Sequence, residues 1–384
     1  MSTVRDDDCL RLVIGGDVAP PQHAFPLLAR GQLEEIAPDH QELLRSAHGV
    51  VANLEAPFQR GGRASAKSGP SLFLPPALTA CLKALRLTAV GLANNHIMDL
   101  GAPGLADTRS LLQDAGILHV GAGINLDEAG RALVLHLAGR KIGILAAGAH
   151  EFGVARDDRP GMNPLDPVRL VPALLALRPR CDLCVVLLHA GNEGHPWPSP
   201  WLQAYCRLLA ELGADLVACQ HSHIIGCQER HGRGHIVYGQ GNFLMDLDGR
   251  TPDHYREGLL LEVVTRTAGA PIEVHPHPIR LRPDGSIARL DPAREERLLA
   301  EFQRRSDELT DPAAVAAAWR DHCGRHAATY RAQLHFANRF LIRACKVLGL
   351  GRVLVNPGRR LLLQNLIRCQ DHREALLTIL EEDL

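Results

Sequence analysis

The sequence predicts an α/β protein in which helices cover layered β-sheets, and three observations lead to this class. From residue 10 to about residue 280, short apolar or β-branched runs alternate with stretches of helical periodicity. Such alternation is typical of sheets covered by helices. Polar residues that can bind metals follow several of the predicted strands. After about residue 283 the strand pattern stops, and charged or Ala-rich helical stretches replace it.

Ten strands are predicted from short apolar runs. They are Leu10–Gly15, Val50–Asn53, Ala89–Leu92, Ile117–Val120, Ala132–Leu137, Lys141–Ala146, Leu183–Leu188, Leu216–Cys219, His235–Tyr238 and Gly258–Val264. The helices predicted between them are Pro76–Leu85, Ala106–Ala115, Pro167–Ala176 and Ser199–Leu212. The last one begins with Ser199 and Pro200, an N-capping residue followed by proline at the first helical position.

The last hundred residues are predicted to be helical. The expected helices are Arg294–Ser306, one that begins at Asp311–Pro312, Gln333–Leu350 and Arg359–Glu382. We therefore predict a catalytic domain at residues 1–285 and a helical extension at residues 286–384. Residues 340–368 are apolar with interspersed arginines, which leaves a membrane-surface helix as an alternative. Glycines and a proline interrupt that stretch, which favours helices that pack on the domain or form a homo-oligomer interface.

Composition excludes several classes of protein. The chain has 42 basic and 43 acidic residues and a net charge of −1, so no nucleic-acid partner is expected. It contains no apolar run long enough for a transmembrane helix. The acidic N-terminus lacks the basic and apolar segments of a secretory signal, and the ten cysteines are scattered. We therefore expect reduced thiols and a cytoplasmic location.

Polar side chains follow six of the predicted strands. In chain order these strand ends carry Asp17, Glu55, Asn94 to His96, His189 with Glu193, His221 with His223, and Asn242. Ligands of open α/β sheets bind at the carboxyl ends of strands, so we expect these side chains to lie close together. Carboxylates, amides and imidazoles without cysteine suit Mn, Fe or Zn better than a structural thiolate site. The sequence therefore predicts a metal site at this edge.

The segment Leu92–Gly101, LANNHIMDLG, is the most informative of these strand ends. Two amides and an imidazole are unfavourable in an apolar core, because each needs hydrogen-bond partners there. They suit an active site, where an Asn carbonyl can bind a metal and the adjacent His can donate a proton.

In this order and at these separations, the motifs resemble the poly-γ-glutamate capsule-synthesis proteins of the CapA type, a branch of the calcineurin-like metallophosphoesterases. The similarity runs from about Leu12 to Asp246. The residues that carry it are Gly16–Val18, Asn53–Glu55, Leu92–Gly101, Ala115–Ile117, Val120–Gly123, His189–Glu193, Gly213–Asp215, His221–His223 and Tyr238–Phe243. The resemblance implies a four-layer αββα sandwich with a dinuclear metal site where the strands end.

The resemblance also implies a role for each site residue. The two divalent ions, Mn, Fe or Zn, would be held by Asp17 and His223 at the first position, by Asn95, His189 and His221 at the second, and by Glu55 at both. His96 would be the general acid or transition-state stabiliser, and Asp99 would orient it. Contacts to substrate are expected from Lys67, Asn94, Glu193 and Asn242, although for Lys67 a solvated position in the loop is slightly favoured.

One departure from the wider superfamily concerns the first metal. The superfamily's first motif is Asp-x-His, whereas here Asp17 is followed by Val18 and Ala19. The first ion would therefore have one fewer protein ligand, and would bind more weakly or keep a water molecule. CapA-type proteins commonly lack this His as well, so its absence is compatible with the resemblance to that family.

Three functions stay open on the sequence alone. Two adjacent divalent ions would activate water and stabilise the departing oxygen of a phosphoester, which predicts a metal-dependent hydrolase. The same ions would polarise an amide carbonyl, so formation or cleavage of an amide in poly-γ-glutamate or another peptide product is the alternative. A non-catalytic component of a capsule-assembly machine is the third. For both the hydrolase and the amide chemistry, the expected substrate is a small molecule or a peptide.

Overall fold

The computed structural model describes residues 9–61, 63–67, 69–246, 252–266, 269–334 and 357–381. All sixteen strands of the described residues lie in the first three quarters of the chain. In chain order they are β1 (Leu10–Ala19), β2 (Gly49–Leu54), β3 (Leu87–Gly91), β4 (Leu118–Val120), β5 (Ala122–Gly123), β6 (Leu133–Leu137), β7 (Arg140–Gly148), β8 (Gly161–Met162), β9 (Leu183–His189), β10 (Leu216–Gln220), β11 (Ile225–His231), β12 (Gly234–Gln240), β13 (Asn242–Met245), β14 (Glu257–Thr265), β15 (Glu273–Leu281) and β16 (Ile287–Ala288).

Helices connect the strands and follow them at the C-terminal end. The α-helices are α1 (Phe25–Leu28), α2 (Leu33–Ile36), α3 (Gln41–Ser46), α4 (Thr79–Ala84), α5 (Gly101–Asp114), α6 (Leu126–Ala129), α7 (Pro167–Leu177), α8 (Pro200–Glu211), α9 (Pro292–Glu308), α10 (Pro312–Leu334), α11 (Pro357–Arg368) and α12 (Gln370–Glu381). Helix α8 begins as predicted, because the Ser199 hydroxyl accepts a hydrogen bond from the Leu202 amide.

Two mixed sheets form the centre of the protein. The first has the strand order β16-β15-β14-β1-β2-β3-β4, and β13 also pairs with β1. The second has the order β11-β12-β10-β9-β7-β6. Strands β1 to β4 run parallel to one another, and so do β7, β9, β10 and β12. The carboxyl ends of the parallel strands in each sheet therefore lie along one edge.

The apolar side chains show that the two sheets stack face to face. Leu12 of β1, Ile144 of β7 and Leu187 of β9 belong to one buried cluster between the sheets. Val13, the neighbour of Leu12, points to the other side of the first sheet and packs in the cluster that includes Leu112 of α5. A third cluster lies under α7 and α8, on the outer face of the second sheet. The predicted four-layer αββα sandwich is confirmed.

All ten predicted strands are present, and the elements that sequence patterns missed are mostly short or irregular. Strand β15 is the longest strand missed, since Pro276 and Pro278 lie within it and proline lacks a backbone donor. Proline at alternate residues removes donors from one side of a strand only, which explains why β15 still pairs with β14. The predicted helix Gln333–Leu350 lies outside the described residues from residue 335 onward, as does most of the basic apolar stretch.

The C-terminal helices divide into two groups. Helix α9 belongs to the sandwich, because Leu298 and Phe302 lie in the cluster between the sheets. Helices α10, α11 and α12 form a separate apolar cluster that includes Trp319, Leu366 and Ile379. The predicted division of the chain after residue 285 thus falls before β16 and α9, both of which pack with the sheets.

Within the described residues, no helix combines the length and apolar character that crossing a bilayer requires. The predicted helix Arg359–Glu382 is interrupted at Cys369, which separates α11 from α12. The interruption coincides with contacts to two loops beside the second sheet: the Gln370 amide donates to the Leu165 carbonyl before α7, and Asp371 accepts from the Gly191 amide after β9.

We predict that Phe302→Ala destabilises the protein by about 3–5 kcal/mol, because it removes an aromatic ring from the core between the sheets. Phe73→Ala is the control, since Phe73 is exposed. The midpoint of chemical denaturation measures both effects. Equal losses for the two variants would show that α9 is not part of the core of the sandwich.

Candidate metal centre

Six predicted metal ligands meet where the strands of both sheets end. They are Asp17 in β1, Glu55 after β2, Asn95 after β3, His189 at the end of β9, and His221 and His223 after β10. Each is at most 8% exposed. Two groups of these donor atoms lie within 4.8 Å of one another, Asp17–Glu55–His189 and Glu55–His221–His223, and Glu55 belongs to both.

The Glu55 carboxylate is at the centre of this arrangement. It is 0% exposed, and neither of its oxygens has a hydrogen-bond partner among the described residues. Its Oε1 is 3.4 Å from His189 Nε2 and 3.9 Å from His223 Nε2. Burial opposes ionisation of Glu55, but the charges of these imidazoles outweigh it and hold the carboxyl pKa below its usual value. A buried anion without donors requires positive charge beside it.

Backbone geometry turns two of the imidazoles into the site. His221 and His223 have φ angles of 90° and 57°, in the left-handed region that residues with a side chain rarely adopt. Strain of this kind concentrates at functional sites. His221 Nδ1 has no hydrogen-bond partner in the described part of the chain, and His223 Nδ1 is 3.1 Å from Asn242 Oδ1. Each imidazole thus keeps one ring nitrogen available to a cation.

A close approach of two strands places Asp17 in the same cluster. Asp17 pairs with Asn242 between β1 and β13, and a Cβ on the preceding Gly16 would lie 2.1 Å from the Gly241 carbonyl. Only glycine fits there. Asp17 Oδ1 accepts a hydrogen bond of 2.7 Å from the Asn53 amide, which also lies 3.1 Å from His189 Nδ1.

Glu151, in the loop after β7, orients Asn95. The Asn95 amide donates a hydrogen bond of 2.7 Å to Glu151 Oε2, which leaves its Oδ1 3.0 Å from His189 Nε2. Glu151 Oε1 is also 3.7 Å from His221 Nε2. Burial opposes ionisation of Glu151, but His221 and His372 outweigh it, and its pKa lies well below the usual value.

His96 lies beside a buried ion pair. Its Nδ1 is 2.7 Å from Asp99 Oδ2 and 2.9 Å from Lys67 Nζ, and Lys67 also pairs with Asp99. The Leu72 amide donates to the same Asp99 oxygen. The Lys67 side chain is 5% exposed, so the solvated-loop interpretation of this residue is wrong. Because both charged neighbours lie at Nδ1, Nε2 is the His96 nitrogen left for a substrate.

Two predicted substrate contacts have other partners in the structure. Asn94 is 0% exposed; its amide donates to Asn53 Oδ1 and the Leu54 carbonyl, and its Oδ1 accepts from the amides of His96 and Ile97. Asn242 binds His223 through Oδ1 and the Tyr255 carbonyl through its amide. These hydrogen bonds hold the loops and the imidazole in place, and contact of either amide with substrate stays a prediction. Glu193 is exposed beside the site, and its contact with substrate stays a prediction.

Some residues at the site were not predicted. Asn53 ends one predicted strand and Glu151 follows another, so their positions were a usable signal. His372 and Asp371 lie in α12 and reach the site only through the packing of that helix, which no local pattern reveals. A cavity of about 470 Å³ opens beside His221 and Glu193. Its opposite wall comes from α10, α11 and α12 and includes His322, His326, Tyr330, Asn365 and His372.

The fold and the buried donor set define an α/β protein with candidate metal-binding residues at the ends of its strands. Residues 11–247 match the family described as bacterial capsule synthesis protein PGA_cap, and the chain belongs to this family. The predicted resemblance to CapA-type proteins is therefore confirmed. Strands β14 to β16 and helices α9 to α12 lie outside the matched segment.

Several named proteins are similar to this chain. The capsule biosynthesis protein CapA of Bacillus anthracis is 27% identical over 255 residues, which cover 63% of this chain and 61% of that protein. The PGA biosynthesis protein CapA of Bacillus subtilis is 25% identical over 71% of this chain and 75% of its own length. A probable polyglutamine synthesis accessory protein of Mycobacterium tuberculosis is 31% identical over 52% of this chain and 56% of its own length.

Solved structures with a similar arrangement include a 5'-nucleotidase precursor from Thermus thermophilus. It is 18% identical, with a TM-score of 0.44, over 77% of this chain and 59% of that one. A putative 5'-nucleotidase from Staphylococcus aureus is 13% identical, with a TM-score of 0.43, over 77% of this chain and 58% of its own.

We predict that metal binding at this centre strengthens as pH rises. Burial lowers the pKa of His221 and His223, but Glu151 and Glu55 respectively outweigh it and raise these values to about 10 and about 9. Below those values both imidazoles hold protons that a cation must displace. Between pH 6 and 8 the apparent affinity for Zn²⁺ should therefore rise by about 10- to 100-fold per pH unit. Competition with a chromophoric chelator measures the apparent affinity at each pH. An affinity that does not change with pH would contradict the assignment of His221 and His223 as ligands.

Proposed function

We propose that this protein is a metal-dependent hydrolase that binds two divalent cations at the strand ends and hydrolyses a phosphoester. The observation that carries the proposal is Glu55, a fully buried carboxylate whose Oε1 faces two imidazoles and whose two oxygens have no hydrogen-bond donor in the described residues. Membership of the PGA_cap family does not specify a reaction, so the proposal depends on the geometry of the site.

The donor set fits two cations that share Glu55. Asp17 and His223 would hold one ion, and Asn95, His189 and His221 would hold the other; Mn, Fe and Zn all accept such oxygen and nitrogen donors. When bound, the pair of ions supplies Lewis-acid polarisation of the substrate and a water molecule that is activated near neutral pH. Asn53 and Glu151 keep the donor atoms of Asp17 and Asn95 in place through hydrogen bonds of 2.7 Å.

His96 would supply the proton that the leaving group needs. Asp99 Oδ2 lies 2.7 Å and the Lys67 ammonium 2.9 Å from Nδ1, so both contacts fix the ring at that nitrogen. Nε2 is then the nitrogen that would donate a proton to a departing alkoxide. The imidazole is also close enough to Glu55 to contribute to the lowered pKa of that carboxyl.

The cavity beside the centre supports a compact substrate. Its volume of about 470 Å³ accommodates a small molecule or a short peptide segment. Glu193 and Tyr255 line it on the sandwich side, and imidazoles of α10 and α12 line it on the other. These walls would contact the remainder of the substrate, while the phosphoester lies over the cations.

The second candidate is chemistry on a γ-glutamyl amide. The names of the Bacillus and Mycobacterium relatives favour it, because they associate those proteins with capsule, PGA or polyglutamine synthesis. The same donors and the same His96 would serve an amide, with the proton going to the departing amine. The alignments span only part of those relatives, so their activity applies to this chain only as a proposal.

Hydrolysis of p-nitrophenyl phosphate and bis-p-nitrophenyl phosphate with added Mn²⁺ tests the proposal. We predict turnover by the native protein, and a decrease in kcat of about 10²- to 10⁴-fold in His96→Ala, because the proton donor is lost. Metal content should stay at the native level in that variant. Turnover of γ-glutamyl-p-nitroanilide alone would favour the amide alternative. Metal binding without turnover of either ester would exclude the phosphoester proposal.

We also predict that Lys67→Ala lowers kcat by about 10- to 100-fold, because the ammonium that pairs with Asp99 and lies 2.9 Å from His96 Nδ1 no longer fixes the position of the imidazole. Lys141→Ala is the control, since Lys141 is exposed on the far end of β7 and should leave kcat unchanged. Equal kcat values for native protein and Lys67→Ala would show that Lys67 does not position His96.

A further inference from the structure

A second cluster of metal-binding groups lies next to the centre and shares none of its six proposed ligands. Glu151 comes from the loop after β7, Cys369 separates α11 from α12, and His372 lies in the first turn of α12. Their donor atoms all lie within 4.8 Å of one another. Glu151 Oε1 is 3.4 Å from His372 Nε2 and 3.9 Å from Cys369 Sγ.

We propose that Glu151, Cys369 and His372 form a separate zinc site that clamps α12 onto the metal-bearing edge of the sandwich. Thiolate, imidazole and carboxylate are the three donor types that Zn²⁺ accepts in proteins. Zinc bonds of about 2.0–2.3 Å in tetrahedral directions place two donor atoms roughly 3.3–3.8 Å apart. The two separations from Glu151 are close to this range before any adjustment of the side chains.

Each donor is held with its binding atom turned toward the others. The second oxygen of Glu151, Oε2, accepts the hydrogen bond from Asn95, while Oε1 faces His372 and Cys369, with His221 Nε2 3.7 Å away on its other side. His372 Nδ1 is 2.8 Å from the Tyr330 hydroxyl, so Nε2 is the nitrogen that faces Glu151. Metal-binding histidines usually have such a partner on the other ring nitrogen. Cys369 is fully buried, and no disulfide engages it.

The charge around the cluster is consistent with a cation. Asp371 is 2% exposed; its Oδ2 accepts from the Gly191 amide, and its Oδ1 has no hydrogen-bond partner in the described ranges. Two buried carboxylates and a thiol therefore lie beside two imidazoles, His221 and His372. A divalent ion would offset this negative charge and deprotonate Cys369, as coordination does to thiols.

The site would join two parts of the chain that are far apart in sequence. Glu151 belongs to the segment that matches the family, residues 11–247, whereas Cys369 and His372 lie in the C-terminal helices outside it. Hydrogen bonds from Gln370 to the Leu165 carbonyl and from the His150 amide to Gln370 already dock the start of α12. A zinc ion would fix that contact, and with it the helical wall of the cavity. The assignment does not depend on phosphoester hydrolysis.

Cobalt substitution tests the site without any assay of activity. Metal-free protein is titrated with Co²⁺, and the near-ultraviolet absorption of thiolate-to-cobalt charge transfer is recorded. None of the six ligands proposed for the centre is a cysteine, so that band reports a thiolate site alone. We expect the band in the native protein and its loss in Cys369→Ser. Cys323→Ser, which changes an equally buried thiol on α10, should keep it.

A second variant keeps the test valid if Cys369→Ser fails to fold. The His372 side chain is 32% exposed, so His372→Ala should fold and should weaken Co²⁺ binding at the thiolate site by more than about tenfold. Circular dichroism verifies the fold of each variant. Absence of the band in native protein, or its persistence in Cys369→Ser, would overturn the zinc site. Loss of ester hydrolysis with the band intact would instead contradict only the proposed function.

Discussion

The buried negative charge of Glu55 is the constraint on which the rest of the site depends. A carboxylate with no exposure and no hydrogen-bond donor among the described residues is unfavourable unless positive charge compensates it. The sandwich supplies that charge from both sheets, because His189 ends a strand of the second sheet while Glu55 follows a strand of the first. Stacking of the two sheets therefore brings the donor residues together. The same packing that forms the core also forms the proposed metal centre.

The hydrogen bonds around the centre explain why amides are so frequent there. Asn53, Asn94 and Asn242 each connect a loop or a donor side chain to a neighbour, and none of them needs to contact substrate. An amide can donate and accept at once, so a single Asn holds a carboxylate and an imidazole in fixed relation. The left-handed backbone at His221 and His223 is strained, and this surrounding network is what maintains it.

The helices after the family-matched segment help to form the surroundings of the proposed metal centre. Helix α9 completes the core between the sheets, and α12 reaches Gly191 and Glu151 at the edge where the proposed ligands lie. The cavity beside the centre consequently has one wall from the sandwich and one from the C-terminal helices.

The amino-acid sequence by itself determined the α/β class and the positions of all ten predicted strands. It also identified six donor residues that the structure brings together. Both results were possible because strand periodicity and polar strand ends are local properties of the sequence. It did not determine the tasks of Asn94 and Asn242, since two amides look alike until their partners are known. Nor did it locate Glu151, Cys369 and His372 in one cluster. That proximity arises only when α12 docks on the second sheet, and contacts between residues more than two hundred positions apart depend on tertiary packing.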